Sequence, residues 1–119
     1  MALSVLIVDD DPEFLALAGR IVSALGVDDV ATAADAAQAL KIAHESRPDA
    51  ALVDIGLPDR DGIDLACQLS EMPWKPRVVL TSSDSDAFLA IDERERSRRL
   101  PFIAKEELAG DGLSQYLWE

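Results

Sequence analysis

Short apolar runs alternate along the whole chain with segments of helical spacing, and each run stops at a polar or charged residue. The pattern predicts strands over 4–8, 30–33, 49–53, 77–80 and 101–104. Apolar residues at helical spacing predict helices starting at Pro12 and Ala36, ended by Gly26 and Pro48 respectively, and further helices over 63–70, 84–99 and 106–118. Such regular alternation restricts the chain to few architectures.

The first helix carries the clearest start signal. Asp11 is a natural N-cap and Pro12 occupies the first helical position. The apolar stripe that follows at helical spacing consists of Phe14, Leu17, Ala18, Ile21, Val22 and Leu25. A strand followed by a helix, five times over, predicts an α/β fold with a five-stranded parallel sheet and helices on both faces, because parallel strands need crossover connections.

The length and composition fit one domain, predicted to span 1–119. The lone Cys67 excludes an internal disulfide framework and favours a reducing, cytoplasmic location. No apolar run approaches the ~20 residues that span a bilayer, so membrane insertion is not expected. The formal charge of −12 and a pI near 4.3 argue against direct nucleic-acid binding and favour a cation or a basic protein surface as partner.

Polar residues stand at the predicted strand ends. In an open parallel sheet, ligands bind beyond the carboxyl ends of the strands. Four strands end, in chain order, at Asp9-Asp10, Asp54, Thr81 and Lys105. The sequence therefore predicts that three carboxylates, a hydroxyl and an ammonium group gather at one edge of the sheet.

This set of groups suits phosphoryl chemistry with Mg²⁺. Clustered carboxylates repel one another unless a cation neutralises them, and Mg²⁺ prefers such oxygen ligands together with phosphate oxygens. Lys105 and Thr81 can contact an anion, and Asp54 is the natural nucleophile for an aspartyl-phosphate. The transfer requires mainly positioning and charge stabilisation.

Four segments resemble the receiver domain of bacterial two-component response regulators. The most specific is 54–62, which is similar to the phosphoacceptor strand end and the loop after it. The segment 5–10 looks like the first strand with its acidic pair, 81–83 like the hydroxyl position of the fourth strand, and 102–105 like the fifth strand with its lysine. The resemblance runs over nearly the whole chain.

The resemblance implies a (βα)5 flavodoxin-like fold with strand order 2-1-3-4-5. It implies that Asp54 accepts a phosphoryl group from a sensor histidine kinase or a phosphotransfer protein, and that the chain is not an enzyme beyond its own phosphorylation and dephosphorylation. Mg²⁺ would be held by Asp9, Asp10, Asp54 and the backbone carbonyl of Gly56.

Signalling is implied in the same way. Thr81 and Lys105 would bind phosphoryl oxygens, and movement of Thr81 would let Phe102 turn inward. The face built from helix 4, strand 5 and helix 5 would then change and contact a downstream protein. Four features depart from the family pattern: Glu106 stands where proline often follows the lysine, 93–100 lacks the usual small turn, the predicted helix 5 is short and interrupted by glycines, and Phe102 has no hydroxyl.

Simpler interpretations remain beside this one. Asp9 and Asp10 could merely cap the first helix. The chain could be a receiver-like interaction module that is not phosphorylated, or a metal-dependent aspartyl phosphohydrolase. The hydrolase is disfavoured because Gly56 stands two residues after Asp54, where such an enzyme needs a second acid. Room beside Gly56 for an attacking water predicts a short-lived phosphoryl group.

Overall fold

The computed structural model describes residues 3–59, 61–82, 100–105 and 108. The strands are β1 (Ser4–Val8), β2 (Asp29–Ala33), β3 (Ala50–Asp54), β4 (Arg77–Ser82) and β5 (Phe102–Ala104). The helices are α1 (Pro12–Ala24), α2 (Ala36–Ser46) and α3 (Gly62–Ser70). The helices predicted over 84–99 and 106–118 lie outside the described residues, apart from Leu108.

All five strands pair in parallel, in the order β2-β1-β3-β4-β5. The predicted α/β architecture and strand order are confirmed. At their carboxyl ends, two strands run further than the sequence indicated, because the ladder continues through polar residues: Asp54 still pairs with Thr81, and Ser82 with Ala104. The polar ends of β3 and β4 are therefore part of the sheet and are held by its hydrogen bonds.

Apolar side chains of the sheet pack into two hydrophobic cores, one on each face of the sheet. Alternate residues of a strand point to opposite sides, so Val5 and Ile7 of β1 pack in the core that contains α1. Leu6 and Val8 pack in the core that contains α2 and α3. The described helices thus cover both faces, which explains why the strands read as continuous apolar runs.

Each described helix starts at a capping carboxylate. Asp11 accepts a hydrogen bond from the Glu13 amide at 3.0 Å, as the sequence predicted. Asp35 caps α2 and Asp61 caps α3 in the same manner. The residues of the predicted apolar stripe of α1 are buried or half-buried, except Leu17, which is 45% exposed. Among the described residues, no helix has the length and apolar character needed to cross a membrane.

Candidate functional site

The parallel sheet brings the predicted polar residues to one edge. Asp9 directly follows β1, where its backbone amide donates to the Ala33 carbonyl of β2 at 3.0 Å. Asp54 is the last residue of β3, and Lys105 directly follows β5. Asp54 pairs with Thr81 in the β3–β4 ladder, the Asp9 amide extends the β1–β2 ladder, and Lys105 follows the last ladder residue of β5, so the sheet positions all three residues.

Three carboxylates converge at this edge. Asp9, Asp10 and Asp54 each offer one oxygen, and these oxygens all lie within 4.8 Å of one another. Asp9 is fully buried and Asp54 is 7% exposed, whereas Asp10 is exposed. The cluster is therefore open to solvent on the Asp10 side and closed beneath.

Lys105 provides the counter-charge. Its Nζ lies 2.6 Å from Asp9 Oδ2 and 3.6 Å from Asp54 Oδ2. The Lys105 side chain is only 17% exposed. One ammonium group thus lies between the carboxylates of β1 and β3, and the sequence prediction that these groups meet is confirmed by the geometry.

Burial sets the electrostatics of the pair. Desolvation raises the pKa of Asp9 above its usual value, reinforced by the nearby Asp54 charge and opposed by Lys105. Burial alone would lower the pKa of Lys105, but the contact with Asp9 and the charge of Asp54 outweigh it and raise that pKa. The ammonium group stays charged, while the cluster as a whole retains an excess of negative charge.

Two glycines in the segment after β3, Gly56 and Gly62, lie against Asp54. The Gly56 amide donates to Asp54 Oδ1 at 3.1 Å, which orients the carboxylate. A Cβ at Gly62 would lie 2.0 Å from the Asp54 carbonyl oxygen, so only glycine fits where α3 begins. Apart from its chain neighbours, a Cβ at Gly56 would meet Asp54 Oδ1 at 3.8 Å and no other atom within 4 Å in the part of the chain that the structure describes. Among those residues, nothing blocks the space between Gly56 and the Asp54 carboxylate.

Thr81 and Phe102 occupy adjacent strands near the same edge. Thr81 is fully buried, and its Oγ1 has no hydrogen-bond partner in the part of the chain that the structure describes. Phe102 is half-buried and pairs with Leu80 in the β4–β5 ladder. A buried hydroxyl without a partner is costly unless something else satisfies it. Glu106 and its bond to Lys105 lie outside the described residues.

Two residues near the site were not singled out from the sequence. The ring of Phe14 lies under Lys105, with Nζ 4.2 Å from the ring centroid. Asp59 of the β3–α3 loop accepts from the Ala36 and Ala37 amides of α2 at 3.0 and 3.2 Å. From the sequence, Phe14 is one residue of the predicted apolar stripe, and Asp59 is part of the segment 54–62 with no role of its own. The sequence signal for the role of Asp59 is that its loop is rich in carboxylates, which can accept hydrogen bonds from the free amides at the start of a helix.

The chain matches the family model of the response regulator receiver domain over residues 5–107. It is 40% identical over 90 residues to the transcriptional regulatory protein PrrA of Mycobacterium tuberculosis, which covers 76% of this chain and 36% of PrrA. The chain thus spans about a third of the length of that relative.

Solved structures show the same fold. Chemotaxis protein CheY4 of Vibrio cholerae superposes with a TM-score of 0.81 at 19% identity, covering 98% of this chain and all of CheY4 (100%). Response regulator protein TrrA of Thermotoga maritima, solved in complex with Mg²⁺-BeF, gives a TM-score of 0.80 at 20% identity and covers 97% and 99% of the two chains. With the family match over most of its length, the chain belongs to the response regulator receiver domains of bacterial two-component systems.

Proposed function

We propose that the protein is a phosphoacceptor switch in which Asp54 receives a phosphoryl group. The observation that carries this proposal is the position of Lys105 Nζ, 2.6 Å from Asp9 and 3.6 Å from Asp54. A cation ordered beside an oriented carboxylate is the arrangement that an incoming phosphoryl group needs. Receiver domains are signalling modules rather than classical enzymes, and we propose only self-phosphorylation and self-dephosphorylation for this chain.

Mg²⁺ fits the carboxylate cluster. Three carboxylates converge beside a single ammonium group, that of Lys105, so the formal negative charge of the cluster exceeds the positive charge of this lysine, which supports a cation site. Asp9, Asp10 and Asp54 would hold the ion, together with the Gly56 carbonyl and water. Bound Mg²⁺ would supply positive charge to the cluster and to phosphoryl oxygens. The Mg²⁺-BeF complex of TrrA supports this choice of metal.

The side chains then divide the chemistry among them. An Asp54 carboxylate oxygen attacks phosphorus, the P–N bond of a phosphohistidine breaks, and the imidazole leaves after taking up a proton. The Gly56 amide donates a hydrogen bond to Oδ1 and so fixes the orientation of the Asp54 carboxylate. Lys105 stabilises charge on the phosphoryl oxygens. Hydrolysis removes the phosphoryl group: water attacks phosphorus from the side of Gly56, and the bond between phosphorus and the Asp54 oxygen breaks.

Thr81 and Phe102 are proposed as the switch. Thr81 Oγ1, which has no hydrogen-bond partner among the described residues, would donate to a phosphoryl oxygen, and this contact would satisfy the buried hydroxyl. Its movement would free space for the Phe102 ring on the neighbouring strand. A charge change at the edge of the sheet would thereby bias a two-state element that includes β5. The output face would be formed by β5 and the helices predicted over 84–99 and 106–118, which lie outside the described residues apart from Leu108.

Partners and location follow from the same proposal. A sensor histidine kinase or phosphotransfer protein would be the donor, and a downstream protein the target, with no direct contact to nucleic acid or membrane. We propose one receiver domain over 1–119. The buried, free Cys67 suits a reducing compartment, so a cytoplasmic location is part of the proposal.

Acetyl phosphate with Mg²⁺ tests the proposal directly. Intact-mass spectrometry should show the addition of one phosphoryl group, sensitive to hydroxylamine, and its absence in Asp54→Asn. Asp61→Asn is the matched control because Asp61 caps α3 in the same segment, and it should still be modified. Absence of modification in the wild type would favour an unphosphorylated interaction module, and turnover of phosphate esters would favour a hydrolase.

A further inference from the structure

The Phe14 ring forms one wall of the Lys105 environment. Phe14 lies in the first turn of α1 and is 7% exposed. Its ring centroid is 4.2 Å from Lys105 Nζ. At this distance the negative face of the ring attracts an ammonium group. Phe14 also belongs to the α1 core, together with Ala18 and Val22.

Three groups lie close to the Lys105 ammonium group. Nζ is 2.6 Å from Asp9 Oδ2, 3.6 Å from Asp54 Oδ2 and 4.2 Å from the centroid of the Phe14 ring. Lysine has three N–H donors, and the contact with Asp9 Oδ2 uses one of them, so N–H donors remain for a phosphoryl oxygen while the ring attracts the charge.

We propose that Phe14 is a positioning residue that keeps the Lys105 ammonium ordered beside Asp54. This inference rests on the proposed function, since it assigns a role in binding the phosphoryl group. A lysine side chain has four rotatable bonds, and ordering it on binding costs affinity. Nζ already lies 3.6 Å from Asp54 Oδ2, so a phosphoryl group on Asp54 would meet it after only a small shift, with the ring still beneath it.

A purely structural role makes a different prediction. If Phe14 only fills the core, changing the charge distribution of its ring at constant shape should alter nothing but stability. If the ring holds the ammonium, the same change should weaken binding of a phosphoryl mimic. Beryllofluoride with Mg²⁺ is the probe, because it forms the complex seen with TrrA.

The experiment places phenylalanines with one, two and three fluorines at position 14 of the full chain. Fluorination weakens the negative face of the ring and keeps its shape nearly constant. Beryllofluoride affinity in saturating Mg²⁺, measured by calorimetry, should fall stepwise with fluorine number, by about two- to fivefold in total. The affinity for Mg²⁺ alone should stay unchanged. Val22→Ala, a cavity in the same core, should lower the melting temperature without changing beryllofluoride affinity.

Lys105→Met separates the two proposals. It should weaken beryllofluoride binding and abolish its dependence on fluorine number. A flat fluorine series in a protein whose binding depends on Lys105 would overturn the role of Phe14 and leave the proposed function intact. A fluorine effect that persists in Lys105→Met would also overturn it. Wild-type protein that binds no beryllofluoride and accepts no phosphoryl group would overturn the proposed function itself.

Discussion

The buried Asp9 carboxylate pairs with Lys105 and yet has a raised pKa, because desolvation by burial exceeds the opposing effect of the lysine. The folded protein therefore binds a proton on Asp9 more readily than the unfolded chain does. By linkage, the contribution of Asp9 to stability falls as the pH rises from its unfolded pKa, 3.8, through its higher folded pKa, and stays low above that. At neutral pH, the charge of Asp9 costs the metal-free protein stability.

Asp9→Asn should therefore raise the melting temperature of the protein at pH 7 in EDTA. The amide keeps the size of the side chain and removes the buried charge, while Lys105 retains Asp54 at 3.6 Å. Calorimetry in EDTA measures the change. Asp10→Asn is the control and should have a smaller effect because Asp10 is exposed. A lower melting temperature for Asp9→Asn would show that the ion pair with Lys105 outweighs burial.

Gly56 controls the opening above Asp54. Among the described residues outside its own chain neighbours, a Cβ at this position meets Asp54 Oδ1 alone, at 3.8 Å, so we expect a long side chain to be accommodated and to extend over the carboxylate. Gly56→Arg should lengthen the lifetime of the phosphoryl group several-fold, because the side chain hinders an attacking water. The decay of phosphorylated protein after removal of the donor measures this. Ser23→Arg adds the same charge at the far end of α1 and should leave the lifetime unchanged; a shorter lifetime in Gly56→Arg would contradict the argument.

At the scale of elements, the start of α3 is fixed by a close backbone approach. Gly62→Ala would place a Cβ 2.0 Å from the Asp54 carbonyl oxygen, so α3 or the end of β3 must shift. The expected loss is about 1–3 kcal/mol in the free energy of unfolding, as for other overpacked sites. Gly19→Ala is the matched control: beyond the backbone of α1 itself, no described residue lies within 4 Å of its Cβ, and this helix-interior change should stabilise by about 0.5–1 kcal/mol. Urea denaturation measures both, and equal effects would contradict the packing argument.

The β3–α3 loop is also tied to α2. Asp59 accepts from the Ala36 and Ala37 amides, so α2 is capped from a distant loop as well as by its own Asp35. Asp59→Ala should cost about 1 kcal/mol, the usual value of a helix cap. It should also increase the rate of hydrogen exchange of the Gly56 amide, because the loop loses its hydrogen bonds to α2. Asp35→Ala should lower stability by a similar amount without changing the exchange rate at Gly56. An unchanged exchange rate at Gly56 in Asp59→Ala would show that these hydrogen bonds do not hold the loop.

Strand ends show what sequence patterns miss. The apolar run of β4 stops at Leu80, and the prediction stopped there, but the strand continues to Ser82 because β5 supplies ladder partners for Thr81 and Ser82. Apolar patterning reports burial of side chains, whereas strand length depends on backbone partners in another part of the chain. The existence of the described elements was predictable because apolar patterning does report which segments are buried. The strand order 2-1-3-4-5 was implied by the resemblance to receiver domains, and the structure confirms it.

Across the whole molecule, the sheet explains which parts of the site were predictable. Asp9, Asp54 and Lys105 each stand at the end of a strand, and parallel strands end at one edge, so their meeting follows from topology alone. Phe14 reaches Lys105 from a helix on one face of the sheet. The contact depends on how α1 rotates about its axis and on side-chain rotamers, neither of which a single sequence specifies.

Mg²⁺ should stabilise the whole protein beyond simple screening of its charge of −12. Ligands that bind the folded state alone stabilise it by about 2.7 kcal/mol at one hundred times their dissociation constant. The melting temperature should therefore rise more in MgCl₂ than in KCl of equal ionic strength. Asp54→Asn should lose most of that difference and Asp28→Asn, at the opposite end of β1, should keep it. Equal shifts in the two salts would indicate screening only.

Trp74 lies away from the carboxylate edge, where its Nε1 donates to the Pro48 carbonyl at 2.9 Å, two residues before β3 begins. The five residues of β3 then separate it from Asp54 by a distance on the order of 15 Å. In a Trp118→Phe variant, the fluorescence emission of Trp74 would report whether the turn before β3 and the loop before β4 remain in contact. The protein thus contains an optical reporter of unfolding that is too remote to be quenched by ions or anions bound at the other rim.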